Sequence, residues 1–224
     1  MDYKFQFNVV WQNWDLLMYG VWLTIKISLI STTLGLIIGM ILAGLQRTKR
    51  PIFVKPIRVY IEIIRNTPFL IQLFFIYFGL PSLGINIRAN EAALIALTFN
   101  TGAYATEIVR AGIESISEGQ IEAGRSLGLS GIQIFKHIIL KPALITVYPA
   151  LTSQFILIML GSSVISVISA KELTYQANYL QSRTFRSFEI YFTVTFLYLG
   201  LSYFFRAIFG SVSRFVFGKA PVSS

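Results

Sequence analysis

Two long stretches without a charged residue limit the folds open to this chain more than any other feature of its sequence. They occupy residues 27–45 and 143–170. A helix of ~20 apolar residues crosses a hydrocarbon layer ~30 Å thick, so either stretch is long enough to span a bilayer. Hydrophobic residues make up 54% of the chain and charged residues only 13%, which excludes an ordinary soluble domain. We therefore expect an integral membrane protein.

Five such spans can be traced along the chain. We predict them at about residues 16–45, 57–80, 91–109, 143–170 and 190–209, within a single transmembrane domain, 1–224. The second span contains Pro68, which lacks a backbone donor and predicts a kink or break. Between the third and fourth spans, residues 110–142 carry mixed charge at helical spacings and predict a structured loop. The predicted fold class is all-α, with five transmembrane helices and one amphipathic loop.

The distribution of positive charge predicts the orientation in the membrane. A basic cluster follows the first span and consists of Arg47, Lys49, Arg50, Lys55 and Arg58. Because cytoplasmic loops carry an excess of Lys and Arg, we place this cluster inside and the N-terminus outside. Five spans then put the C-terminus in the cytoplasm, in agreement with Arg206, Arg214 and Lys219. Since topology accounts for the net charge of +9, we expect no nucleic-acid partner.

The loop 110–142 contains the run GQIEAGRSLGLSG at residues 119–131. We predict a short helix there, interrupted at Gly124 and Gly128, because glycine weakens helices and lets another surface come close. A short exposed helix between two membrane spans is typical of an element that docks on a partner protein.

This loop resembles the EAA loop of ATP-binding-cassette (ABC) importer permeases. In that pattern Glu-Ala-Ala is followed after three residues by Gly, and after nine more by Ile-x-Leu-Pro. The matching residues are Glu122, Ala123, Gly128, Ile138 and Leu140. Two positions depart from the pattern: Gly124 replaces the second alanine, and the proline comes one position late, at Pro142. The first position still has a small residue, and a helix breaker is still present near the end of the loop.

Further segments are similar to the polar amino-acid uptake branch of these permeases. They are RNTPFLIQ at 65–72, AYATEIVRAG at 103–112 and the pair Gly119-Gln120. The resemblance implies a type I ABC importer permease in the inner membrane of a bacterial cell, importing polar amino acids with a binding protein and ATP. The ATPase-coupling residues that it implies are Gly119, Gln120, Glu122, Ala123, Gly124, Gly128 and Leu140.

The same resemblance implies the partners. We expect two ABC ATPase subunits, a second permease subunit that is either a copy or a paralogue, an extracytoplasmic amino-acid-binding protein and membrane lipid. The chain has no G-x-x-x-x-G-K-[ST] phosphate loop, so ATP is expected to be used by the partner ATPase. We expect no enzymatic activity and no bound cofactor in this chain. A metal site is not expected either, because His137 is the only histidine and cysteine is absent.

Uncharged polar residues deep in the predicted spans are the candidates for binding substrate. They are Gln72, Asn100, Thr101, Tyr104 and Gln154. A zwitterionic amino acid leaving water needs hydrogen-bond partners, and breaks near Pro68 and Gly102 would free backbone groups that line a cavity. Hydrogen bonds between membrane helices explain the same residues equally well, and the sequence leaves both readings open.

Charged residues near the ends of two spans predict ion pairs. Arg58, Glu62 and Arg65 are spaced by about one helical turn and predict a row of pairs along one helix, which we favour over the alternative that they bind substrate. Glu107 and Arg110 predict a similar pair at the end of the third span.

Other functions remain possible at this stage. A permease for another small solute belongs to the same transporter class, and a carrier or channel outside the ABC class would not need the docking loop. An intramembrane enzyme would need a nucleophile with a base, paired carboxylates or a metal cluster, and the sequence presents none of these.

Overall fold

The computed structural model describes residues 4–48 and 50–218, and the regular elements within these ranges are all helices. They are α1 (Asn8–Gln12), α2 (Trp14–Gln46), α3 (Pro51–Arg65), α4 (Phe69–Ser82), α5 (Ala89–Glu114), α6 (Glu118–Ser126), α7 (Gly131–Ile134), α8 (Leu140–Gly161), α9 (Leu173–Thr184) and α10 (Ser187–Phe217). A π-helical turn, Phe135–Ile139, precedes α8, and a 3-10 segment, Ser162–Ile168, follows it. Lys49 and Lys219, which belong to the predicted basic clusters, lie outside the described residues.

Within the described ranges, four segments are long and apolar enough to cross a membrane. They are α2, α5, α10 and the continuous segment Gly131–Ile168 that contains α8. The bent pair of α3 and α4 makes a fifth if the two helices are taken as one span. The all-α class with four to five membrane helices is therefore confirmed. Several helices are longer than the predicted spans, since α5 continues to Glu114 and α10 to Phe217.

The second predicted span, 57–80, is divided in the structure between α3 and α4. The two helices are bent by 108° relative to one another. Pro68 forms the N-cap of α4 in an extended conformation, with φ −62° and ψ 135°. Proline disfavours helical geometry in the residue before it and cannot donate a helical hydrogen bond, so α3 ends just upstream. The predicted kink is a near-right-angle break.

Small residues bring α2 close against α5. Gly35 faces Thr101 and Gly39 faces Ala105, and a Cβ atom added at either glycine would lie 2.6 Å from the Cβ atom it faces. Two carbon atoms cannot approach so closely, so the contact requires glycine at both positions. Membrane helices commonly associate through such small residues, because lipid leaves little hydrophobic driving force between them.

The predicted outer connection, 171–189, contains the helix α9. One face of this helix packs into a core with α2 and α10 through Leu173, Ala177 and Leu180. At the N-terminus of α9, the buried Glu172 carboxylate accepts hydrogen bonds from the backbone N–H groups of Thr174 (2.9 Å) and Tyr175 (2.7 Å). It also accepts one from the Tyr198 hydroxyl on α10, at 2.7 Å. Burial raises the pKa of Glu172, although these hydrogen bonds oppose the rise.

We expect Gly35→Val to destabilise the protein, because the branched side chain would overlap Thr101 and force α2 away from α5. Overpacking of this kind typically costs ~1–3 kcal/mol. Thermal unfolding of the purified protein in detergent measures the effect. Gly44→Val is the matched control, since a Cβ atom added at Gly44 meets nothing within 4 Å. An equal loss of stability in both variants would contradict the close contact.

Candidate substrate cavity and docking surface

A cavity of about 280 Å³ lies between α4, α5 and the end of α8. Three of the five candidate substrate residues, Asn100, Tyr104 and Gln154, line it together. The rest of the wall is mostly apolar and includes Phe69, Leu97, Leu157, Ile158 and Val164. Small-molecule sites typically have ~300–1,000 Å³ and combine an apolar lining with a few polar groups, so this cavity resembles a compact site of that kind.

Among the described residues, Tyr104 and Gln154 are the polar cavity residues whose side chains form no hydrogen bond. Both are partly buried. The Tyr104 ring is instead contacted by Arg65, whose guanidinium carbon lies 5.5 Å from the ring centre. The phenol and the amide are therefore available to a bound ligand.

Gln72 does not belong to the cavity wall but holds the break between α3 and α4. Its side-chain nitrogen donates to the Ile64 carbonyl (2.8 Å), to the Thr67 carbonyl (3.1 Å) and to the Thr67 hydroxyl (2.9 Å). Its side-chain oxygen accepts a hydrogen bond of 3.0 Å from the Asn100 amide. Asn100 thus faces the cavity and also ties the break to α5.

Thr101 also lies away from the cavity, in the contact between α5 and α2. Thr101 is only 1% exposed, and its hydroxyl donates a hydrogen bond of 2.7 Å to the Leu97 carbonyl. Of the two readings that the sequence left open, hydrogen bonding between helices describes Gln72, which is bonded to Asn100. The Thr101 hydrogen bond stays within α5, so neither reading describes this residue. The cavity brings together Asn100, Tyr104 and Gln154.

The loop between α5 and α8 folds as a small unit with a core of its own. Ile116, Ile134, Ile139 and Ala143 are its buried residues, with Ile113, Ile121, Leu129 and Ile138 packed against them. The core therefore joins α6, α7 and the π-helical turn to the neighbouring ends of α5 and α8. The loop is structured, as predicted.

The two glycines of the loop motif have different roles, and only one of them is the role predicted. Gly124 is buried inside α6, where an added Cβ atom would lie 2.5 Å from Cδ1 of Ile138. The predicted interruption at Gly124 is wrong, because this glycine accommodates the core of the loop and not a partner. The interruption at Gly128 is confirmed: α6 ends just before it, and its φ of 74° favours glycine.

Most of the predicted coupling residues are exposed, and one of them, Glu122, also lines a cavity that the loop shares with α3 and α5. Those that are exposed are Gly119, Gln120, Glu122, Ala123, Gly128 and Leu140. Leu127 and Ile132 lie near them and are 80% and 82% exposed. Sequence reasoning missed these two residues, although both flank the Gly128 turn and fall outside the spacing of the loop core. Exposed apolar side chains grouped on a polar loop are a feature of protein interaction surfaces.

A row of charged residues runs from Tyr104 towards the loop. Arg65 lies 3.6 Å from Glu107, and Arg110 contacts Glu107 at 2.8 Å and Glu114 at 2.6 Å. These residues line a second cavity of about 1110 Å³ between α3, α5 and α6. The predicted pair of Glu107 and Arg110 is confirmed. The predicted row along α3 differs from the structure, because Arg65 pairs across to α5.

An all-helical membrane bundle with a folded loop between two spans, and with a mostly apolar cavity that a few polar side chains line, is the architecture of a transport permease. Residues 35–218 match the family described as binding-protein-dependent transport system inner membrane component, and the chain belongs to this family. The family is that of the membrane component, so ATP hydrolysis resides on a separate subunit and this chain is not an enzyme.

Named relatives are similar over nearly the whole chain. The glutamine transport system permease protein GlnP of Escherichia coli (strain K12) is 37% identical, covering 88% of this chain and 90% of its own length. The octopine transport system permease protein OccM of Rhizobium meliloti is 31% identical, covering 91% and 86%. A solved structure of an amino acid ABC transporter with histidines matches with a TM-score of 0.89 and 34% identity, covering 96% of this chain and 100% of that chain. The expected type I importer permease fold is confirmed.

We expect Gln72→Leu and Gln154→Leu to affect the protein differently. The first change leaves the carbonyl groups of Ile64 and Thr67 and the amide of Asn100 without their partner, and the loss of one hydrogen bond typically costs ~0.5–1.5 kcal/mol. Thermal unfolding should therefore show a clear loss of stability. Gln154→Leu removes no hydrogen bond, so it should leave stability nearly unchanged while reducing the amino-acid stimulation of the partner ATPase. Similar loss of stability in both variants would contradict the assignment.

Proposed function

We propose that this chain is the transmembrane permease subunit of an ATP-driven, binding-protein-dependent importer of polar amino acids. The observation that carries the proposal is the cavity that brings Asn100, Tyr104 and Gln154 together inside a permease of this family. Relatives named for glutamine and octopine transport support a polar substrate class without selecting one amino acid.

The chemistry of the cavity suits a small zwitterion. An α-carboxylate and an α-ammonium group that leave water need dipolar partners, because burying either without them costs several kcal/mol. Tyr104 offers a hydroxyl that can donate or accept, and the Gln154 amide can do both at once. The apolar part of the wall accommodates the aliphatic carbons of the substrate.

The exposed side of the loop, from Gly119 to Leu140, is the proposed contact with the ATPase. Its apolar residues Leu127 and Ile132 are the anchors, and Glu122 adds charge beside them. In the assembled importer, two ATPase subunits dock on two permease subunits, the second of which is a copy or a paralogue. An extracytoplasmic binding protein delivers the amino acid, and lipid surrounds the exposed apolar faces of α2 and α10.

The proposed location is the inner membrane of a bacterial cell. The docking loop and the C-terminus lie in the cytoplasm, and the N-terminus and α9 lie outside. The basic residues Arg47 and Arg58 support this orientation, since they line the same 1110 Å³ cavity as Glu118 and Glu122 of the loop.

Reconstitution of the permease with its ATPase and binding protein in liposomes tests the function. We expect uptake of labelled glutamine that requires ATP and the binding protein. Uptake without the ATPase would contradict the proposal and would indicate a carrier or channel. Uptake of a solute other than amino acids would support a permease of the same class with another substrate.

Two changes on the docking surface should uncouple transport without preventing membrane insertion. Glu122→Lys reverses an exposed charge, and Gly128→Leu strains the turn that orients the surface. In the reconstituted complex we expect ATP-dependent uptake to fall about tenfold, the factor that ~1.4 kcal/mol of lost coupling produces. Glu91→Lys, an exposed charge reversal at the opposite end of α5, is the control. Normal uptake and ATPase association in both docking variants would refute the docking role.

The orientation can be tested by labelling single cysteines, because the natural sequence contains none. In intact cells an impermeant maleimide should label Ser182→Cys, on the exposed face of α9. It should label Ser126→Cys, on the exposed face of α6, only after the membrane is opened. The reverse pattern would invert the proposed topology.

A further inference from the structure

Tyr104 stands between the two cavities. Its side chain lines the 280 Å³ cavity, while Arg65, which lines the 1110 Å³ cavity, lies over its ring at 5.5 Å. The contact between these two side chains therefore joins the wall of the proposed amino-acid cavity to the wall of the cavity beside the loop.

One face of α5 leads from the smaller cavity to the larger one. Asn100, Tyr104 and Glu107 follow one another at intervals of four and three residues, which places them on one face of the helix. With a rise of ~1.5 Å per residue, this face runs ~10 Å from the smaller cavity into the larger one. A substrate that moves along this face from the Asn100 end must pass Tyr104 and then meets Arg65 and Glu107.

Arg65 is held in place from two sides but is not locked there. It is the last residue of α3, directly before the break, and its guanidinium lies between the Tyr104 ring and the Glu107 carboxylate. Its side chain is 43% exposed. At such exposure a contact between a cation and an aromatic ring is weak. A contact of this strength can open and close reversibly.

We propose that Arg65 and Tyr104 form the barrier that closes the amino-acid cavity on the side of the docking loop, and that Glu107 positions Arg65 within it. The ring blocks the passage. When the barrier opens, the guanidinium leaves the ring and the Glu107 carboxylate and binds the α-carboxylate of the passing amino acid. The new partner is again a carboxylate, so the hydrogen bond is again charge-assisted. This inference rests on the proposed function.

The competing explanation is that Arg65 only tethers α3 to α5. The two roles differ in a measurable quantity, the passive leak of amino acid through the complex. A lost barrier raises the leak when neither ATP nor binding protein is present. A lost tether lowers stability and transport without opening a path.

The experiment loads proteoliposomes of the full complex with labelled glutamine and follows its release without ATP. Arg65→Gln and Tyr104→Leu should each release glutamine about tenfold faster than the unmodified complex. Glu107→Gln, which loosens Arg65 without removing it, should have a smaller effect and serves as a second variant if Arg65→Gln assembles poorly. Tyr104→Phe keeps the ring and should keep the leak low, although its transport rate is free to change.

Arg58→Gln is the matched control, since Arg58 lies on the same helix and lines the same large cavity but does not contact the Tyr104 ring. A leak that rises in the barrier variants and not in this control supports the inference. A leak that stays at the unmodified level in Arg65→Gln, Tyr104→Leu and Glu107→Gln, or that rises equally in Arg58→Gln, overturns it even when the unmodified complex imports glutamine with ATP. Absence of ATP-dependent uptake by the unmodified complex would overturn the proposed function itself and this inference with it.

Discussion

The carbonyl groups freed at the end of α3 need hydrogen-bond donors, because a backbone carbonyl that loses its helical partner costs free energy unless another donor replaces that partner. The Gln72 amide supplies them with a donor, and its own oxygen is held by Asn100 on α5. The turn of 108° is thereby fixed in direction as well as in position. This turn carries Arg65 to Tyr104 on one side of the break and Phe69 to the cavity wall on the other. Both cavities depend on it.

Much of the fold could be predicted because lipid imposes simple rules on sequence. Uncharged stretches of sufficient length identify the spans, and Pro68 identifies the point where one of them breaks. The size of the bend could not be predicted, because a proline removes a donor without indicating which side chain replaces it. That side chain is Gln72, whose partners lie 8 residues away at Ile64 and 28 residues away at Asn100. Such pairings become visible only when the helices are assembled.

The residues of the candidate site could also be predicted from the sequence, but their partners could not. Burial in an uncharged span predicts that a polar residue has a partner, but it does not distinguish a ligand from another helix, so Gln72 and Tyr104 have the same appearance in the sequence. The motif glycines show the same limit. Gly124 is small because Ile138 approaches it, whereas Gly128 is required by its positive φ. The spacing in the sequence indicates that both residues are small, but it does not show why each position requires glycine.

The connection between the docking surface and the cavity is mechanical and follows from which helices the loop joins. Its core includes Ile113 from the end of α5 and Ala143 from the start of α8, so α6 is clamped to both helices at once. Gly35 and Gly39 hold α5 closely against α2. The 280 Å³ cavity lies between α5 and α8 and is lined by both. In the proposed complex, an ATPase that displaces α6 therefore acts on the relative position of the two helices that line the cavity.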